Sequence, residues 1–158
     1  MNRYKSKEGF TLIELVMIIA ILSILSAIAI PKITDIIIIS REKATKGEMT
    51  ELKKAIMGDP SAVAGGTLVD KGFNGDNGRL PNPIDEMITQ GSLPDWNRYT
   101  QRGWNGPYIS DDGADEWKKD AWGNVYVIHS YSAGDTSLVS HGPDGVLGGG
   151  DDLILHLK

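Results

Sequence analysis

At 158 residues the chain is long enough for one domain of ordinary size, or for a small domain with an anchor, and too short for two catalytic domains around a cleft. Apolar residues at 41% and charged residues at 23% exclude a disordered or collagen-like polypeptide, and the absence of cysteine excludes disulfides, thiolate nucleophiles and Cys-ligated metal centres. The net charge of −5 argues against nucleic acid as a partner, and it is unevenly placed: a basic head with Arg3, Lys5 and Lys7 against Glu8 precedes an acidic body.

From Phe10 to Ile30 every residue is apolar except Thr11, Glu14, Ser23 and Ser26, and no charge stands between Glu14 and Lys32. A membrane-crossing helix needs about 20 such residues, so the span suffices. The basic residues before it predict a cytoplasmic head and a C-terminal body on the far side. A plain signal anchor satisfies this pattern. So does a secretory signal peptide cut at Ala27-Ile28-Ala29, which would leave Ile30 as the new N-terminus. Neither accounts for Glu14, because a carboxylate near the start of a membrane helix needs something to neutralise it.

Lys7-Glu8-Gly9-Phe10-Thr11-Leu12-Ile13-Glu14-Leu15 resembles the leader junction of type IV pilins and of the pseudopilins of type II secretion. The resemblance implies that residues 1–9 are a basic leader, removed by a prepilin peptidase between Gly9 and Phe10, and that the new Phe10 amine is methylated. It also places Glu14 at the family's assembly glutamate and Pro31 at a proline common after the membrane segment. The physical chemistry agrees: cleavage sets a cationic amine four residues before an anion. Within one helix the two are a turn apart, and in a stack of helices Glu14 can reach a neighbour's amine instead. A buried charge is tolerated when paired, so the pair would set register in a filament.

Residues 10–31 are thus expected to form a hydrophobic helix, and 32–58 its amphipathic continuation, stopped by Gly58 and Pro60. Ile33, Ile37, Ala44, Leu52, Ala55 and Ile56 recur at helical spacing and predict a stripe that holds the body. The run Ile36–Ile39 is wider than one face and points to subunit contacts or the membrane boundary. Residues 59–158 make a globular region. Its first part is rich in Gly, Pro and Asp, with one short helix predicted after Pro83 from Ile84, Met87 and Ile88. Trp104, Tyr108, Trp117 and Trp122 are expected to pack a small core. The period then changes to two at 125–128, 137–139 and 153–155, predicting short strands of an antiparallel sheet. The expected fold class is α+β: a long N-terminal helix, half membrane and half amphipathic, packed on a small C-terminal sheet, as in type IV pilins.

Three histidines (His129, His141, His156) show no metal-ligand spacing, and no nucleophile elbow or phosphate loop is present, so no enzyme is predicted. Asp111-Asp112 and Asp115-Glu116 read as a solvated loop. Ser140-His141-Gly142-Pro143-Asp144-Gly145, followed by Gly148-Gly149-Gly150-Asp151-Asp152, reads either as two solvated turns or as an oxygen-ligand site for calcium within 138–155. This segment resembles the calcium loop of the major pseudopilin. That likeness implies Asp144, Asp151 and Asp152 as side-chain ligands, carbonyls near His141 and Leu155 as lesser ones, and a structural Ca2+. Asp120-Ala121-Trp122-Gly123-Asn124-Val125-Tyr126 resembles a block of the same family, in which prolines usually stand at the positions of Ala121 and Val125.

The reading is therefore a subunit of a type II secretion pseudopilus-like filament, homo-oligomeric and lying in the membrane before assembly. The expected partners are the peptidase, minor pseudopilins and an inner-membrane assembly platform. Its expected place is the inner membrane, single-pass, with the body on the periplasmic side. Two alternatives remain open: a type IV pilin or minor pilin, and an exported calcium-dependent binding module that does not polymerise.

Overall fold

The structure is a computed structural model that describes residues 9–111, 113–132 and 134–158. The leader residues 1–8 and Asp112 therefore lie outside the described residues. Helix α1 runs Leu12–Met57. Contacts divide the chain into two units, residues 1–40 and 41–158.

In the first unit every described side chain is exposed, and the helix from Leu12 passes through Pro31 without interruption. Pro31 has no N–H, so the carbonyl of Ala27 loses its helical donor. Ser23 and Thr34 spend their hydroxyls on the helix itself, donating to the carbonyls of Ile19 at 2.7 Å and Ile30 at 3.2 Å. This satisfies both groups without water, as an apolar environment demands. Among the described residues α1 is the one helix long and apolar enough to cross a membrane, with mean hydropathy 2.7 in its most apolar window.

The second unit begins with the last turns of α1. Thr45, Met49, Leu52 and Ile56 are buried there at spacings of four, three and four, one face of a helix. The expected stripe is correct at Leu52 and Ile56, with Ala55 packed beside them. It is wrong at Ile33, Ile37 and Ala44, which are exposed, whereas Thr45 is buried. The reason is a hydrogen bond: the Thr45 hydroxyl accepts the Ala121 N–H at 3.2 Å, so a polar residue is buried satisfied. Glu42 and Lys46 form an i,i+4 ion pair at 2.5 Å on the outer face.

Gly58 ends α1 with φ +90°, and its N–H bonds the Lys54 carbonyl at 2.6 Å. A side chain there would collide with the Asp70 carbonyl, because the chain returns to lie backbone on backbone against the helix end at Gly72. Between them a two-residue Gly65-Gly66 turn joins β1 (Val63–Ala64) to β2 (Thr67–Leu68). Helix α2 (Gly72–Asn77) follows, where the sequence predicted only turns; it stops at Gly78 in the left-handed conformation. Its Phe73 is fully buried. The helix expected after Pro83 is a single 3-10 turn, Ile84–Met87, that buries Met87.

The sheet is antiparallel with order β3 (Val127–Ser132), β4 (Asp135–Ser140), β5 (Leu153–His156). β4 is central, and Ser137, Leu138, Val139 and Ser140 are all buried. Leu138 stands opposite both Ile128 and Leu155. The core comprises Met49, Leu52, Ile56, Phe73, Met87, Tyr126, Leu138 and Leu157. Each large apolar side chain buried this way contributes about 1.5–3 kcal/mol. Trp104, Tyr108 and Trp117 pack against that core as expected. Tyr108 meets Phe73 edge-on at 5.3 Å, and the Trp104 indole N–H donates to the Glu86 carbonyl at 2.8 Å.

Candidate assembly site and cation loop

The N-terminal site is built by the first turn of α1. Thr11 and Glu14 cap the helix reciprocally. The Thr11 N–H and hydroxyl both donate to Glu14 Oε2 at 2.8 Å, and the Glu14 N–H donates to the Thr11 hydroxyl at 3.3 Å. This is a capping box, in which a threonine and a glutamate three residues on satisfy orphan amides of the first turn. The sequence pairs Glu14 with the Phe10 amine, which exists only after cleavage; with the leader attached the carboxylate is held by Thr11. The T-x-x-E spacing was the signal for it.

Gly9 and Phe10 precede the helix, outside any regular element, and Phe10 is 81% exposed. A side chain added at Gly9 would meet nothing within 4 Å, and its φ is not in the left-handed region. The described residues around it therefore leave space for a side chain.

The second site is the loop between β4 and β5. A 3-10 turn, Gly142–Asp144, is closed by Gly145 at φ +69°. The Asp144 N–H donates to Asp151 Oδ2 at 3.2 Å, and Asp144 Oδ1 accepts the Val146 N–H at 2.8 Å. Asp144 Oδ2 and Asp151 Oδ1 both crowd the position that a side chain on Gly149 would fill. These two carboxylates are therefore brought together over a glycine. Asp152 is placed differently. Its Oδ2 accepts the Gly148 N–H at 2.7 Å, while its Oδ1 is buried without a partner. Among the described residues no three acidic or histidine side chains stand clustered for a metal. An oxygen-only donor set, two converged carboxylates and one orphaned buried carboxylate oxygen fit a hard cation that also takes backbone carbonyls.

The loop is tied to the segment before β3. Asp120 is 5% exposed, and its Oδ1 accepts the N–H groups of Trp122 and Asn124 at 2.9 and 2.8 Å. The buried Ser140 hydroxyl donates to Asp120 Oδ2 at 2.6 Å.

A family model described as type II secretion system (T2SS), protein G matches residues 71–155, and one described as prokaryotic N-terminal methylation motif matches residues 4–30. The chain belongs to the type II secretion system protein G family. It is similar to a type II secretion system core protein G of Klebsiella michiganensis, 28% identical over 155 residues that cover 96% of this chain and 94% of the relative. The core protein G of Escherichia coli K12 is likewise 28% identical, covering 97% and 93%. A type IV major alpha-pilin of Moraxella bovis is 45% identical over 51 residues, 32% of each chain. No solved structure gives a significant match.

Family membership makes the chain a pseudopilin with an α+β pilin-like fold and a membrane-type N-terminal helix. The absence of prolines at Ala121 and Val125 leaves the block intact: Ala121 donates its N–H to Thr45, and Val125 bridges to Lys119. A proline at 121 would have no N–H to give. Sequence reasoning quoted Asp120 and Asn124 only as part of a family-like block and missed their bonds to Ser140 and Gly142; an aspartate two residues before a Trp-Gly turn was the one hint.

Proposed function

We propose that this chain is the polymerising subunit of a secretion pseudopilus, a structural role rather than a catalytic one. The observation that carries the reading is the helix from Leu12 to Ile30: an apolar rod whose side chains are all exposed, with one carboxylate, Glu14, near its start. Such a surface is stable in lipid or against copies of itself. A prepilin peptidase cuts between Gly9 and Phe10, which the open setting of Gly9 permits, and the Phe10 amine is methylated. In the filament that amine, on a neighbouring copy, displaces Thr11 as the partner of Glu14. Before assembly the chain crosses the inner membrane once, with the body on the periplasmic side. Minor pseudopilins and an inner-membrane platform receive it there. Residues 10–31 serve as the membrane and assembly segment, 32–58 as its continuation into the body, and 59–158 as the globular loop-rich and β-sheet region.

In the same reading the 138–155 loop takes a structural calcium ion, with Asp144, Asp151 and Asp152 as the residues that would hold it. The bound ion supplies positive charge that offsets the repulsion between these carboxylates. The chain's part is to hold Asp144 and Asp151 over Gly149 and to leave Asp152 Oδ1 unpaired.

N-terminal sequencing of the protein extracted from membranes tests the reading. It predicts N-methyl-Phe10 in the wild type and no processing in Gly9→Val, whose fold has room for the side chain. A terminus at Ile30 would contradict it and point to an exported, unpolymerised module.

A further inference from the structure

Gly142 is the corner of the β4–β5 loop, and both of its backbone polar groups are held from one segment. Its N–H donates to Ser140 Oγ at 3.2 Å, and that hydroxyl is itself fixed on the buried Asp120. Its carbonyl accepts the Asn124 side-chain N–H at 2.6 Å. Asn124 is in turn oriented by its own backbone N–H on Asp120 Oδ1. The other end of the Asn124 amide lies against Gly145, where an added side chain would come within 3.1 Å of its oxygen. Gly142 stands at φ +61° directly over the Asp151 backbone, with Asp151 Oδ2 3.0 Å from the place of its missing side chain. Fixing Gly142 therefore fixes the approach of the Asp144 turn to Asp151.

We propose that Asn124 and Asp120 are positioning residues of the cation loop, gripping Gly142 by its carbonyl and, through Ser140, by its N–H, so that the carboxylates stand ordered before any ion arrives. The proposal rests on the calcium reading above. Its physical basis is pre-organisation: a ligand set already ordered does not spend binding free energy on ordering, and partners one layer out from the ligands commonly change metal affinity about 10–100-fold.

The test uses the full chain in detergent micelles, titrated with calcium chloride by calorimetry. Amide hydrogen exchange in chelator is followed in parallel. Asn124→Ala is expected to weaken calcium binding about 10–100-fold. Its 142–152 amides should exchange faster without calcium, while β4 amides at Leu138 and Val139 keep their protection. Asp144→Asn, which keeps an oxygen for the Val146 N–H, should lose affinity with exchange in chelator unchanged. Wild-type affinity in Asn124→Ala overturns the proposal, as does loss of protection in β4, which would make Asn124 a support of the fold. A wild type that takes up no calcium overturns the calcium reading itself, a distinct result.

Discussion

Between Leu12 and Ser40 the helix carries isoleucines exposed on every side, from Ile18 at 42% to Ile36 at 65%. Between Arg41 and Met57 the same helix buries one face and leaves the other to Lys, Glu and Arg. The second stretch is completed by its own chain: Phe73, Tyr126, Leu138 and Leu157 meet it. In the first, every described side chain is exposed. An apolar surface of that extent has to be covered by lipid or by other copies, so the two stretches should answer to different experiments.

Truncating the two stretches separates them most sharply. Leu52→Ala removes a side chain that is 1% exposed and should cost the body about 2–5 kcal/mol. Ile37→Ala, at 47% exposure, should leave the body's denaturant midpoint unchanged and act on filament yield alone. If Ile37→Ala destabilised the body as much, the division would be wrong. Calcium should act on the body alone. At about a hundredfold excess over its dissociation constant it should add about 2.7 kcal/mol to unfolding, lost on adding chelator. Equal melting temperatures with calcium and with chelator would refute the loop as a cation site.

A smaller effect is expected at Glu86, whose carboxylate takes both Arg79 guanidinium nitrogens at 2.8 and 2.7 Å and the Asn82 N–H at 2.9 Å. The Arg79 hydrogen bonds hold its pKa below the ordinary 4.5. A lowered pKa stabilises the fold above the unfolded value and loses that contribution as pH falls through the folded one. Glu86→Gln should therefore cost about 1 kcal/mol at pH 7, and the difference from wild type should fade below pH 4 in denaturant titrations. The smallest effect belongs to the other stretch. Thr11→Ala removes the helix cap, and the amides of the first turn should exchange about fivefold faster in micelles, with Thr11→Ser restoring them. The body's stability should not change.

The sequence carried the plan of both stretches for a simple reason. Hydropathy and the leader pattern are local, and the period-two runs mark strands wherever they pair. What it did not carry is long-range satisfaction. Thr45 is buried because Ala121, distant in sequence, needs an acceptor. β3 and β4 extend to Ser132 and Asp135, past the apolar residues, because ladder bonds continue through Ser130 opposite Thr136. Helix α2 is short and Gly-rich, so no periodicity marks it; Phe73 in the core holds it. At the sites, Gly9, Phe10 and Glu14 stand in one contiguous motif, inside residues 4–30 that match the N-terminal methylation model. Asp144, Asp151 and Asp152 were visible as acids in a loop. The different placement of Asp152, bonded to Gly148 with its second oxygen buried, depends on loop geometry that composition does not encode.

The central claim is that the exposed helix is covered by copies of itself, with Glu14 answering a neighbour's amine. Imaging of filaments in cells overproducing Glu14→Leu, with the processed N-terminus verified, tests it most directly. The account predicts a cleaved, membrane-held protein that forms no filaments, whereas filaments in wild-type number would contradict it.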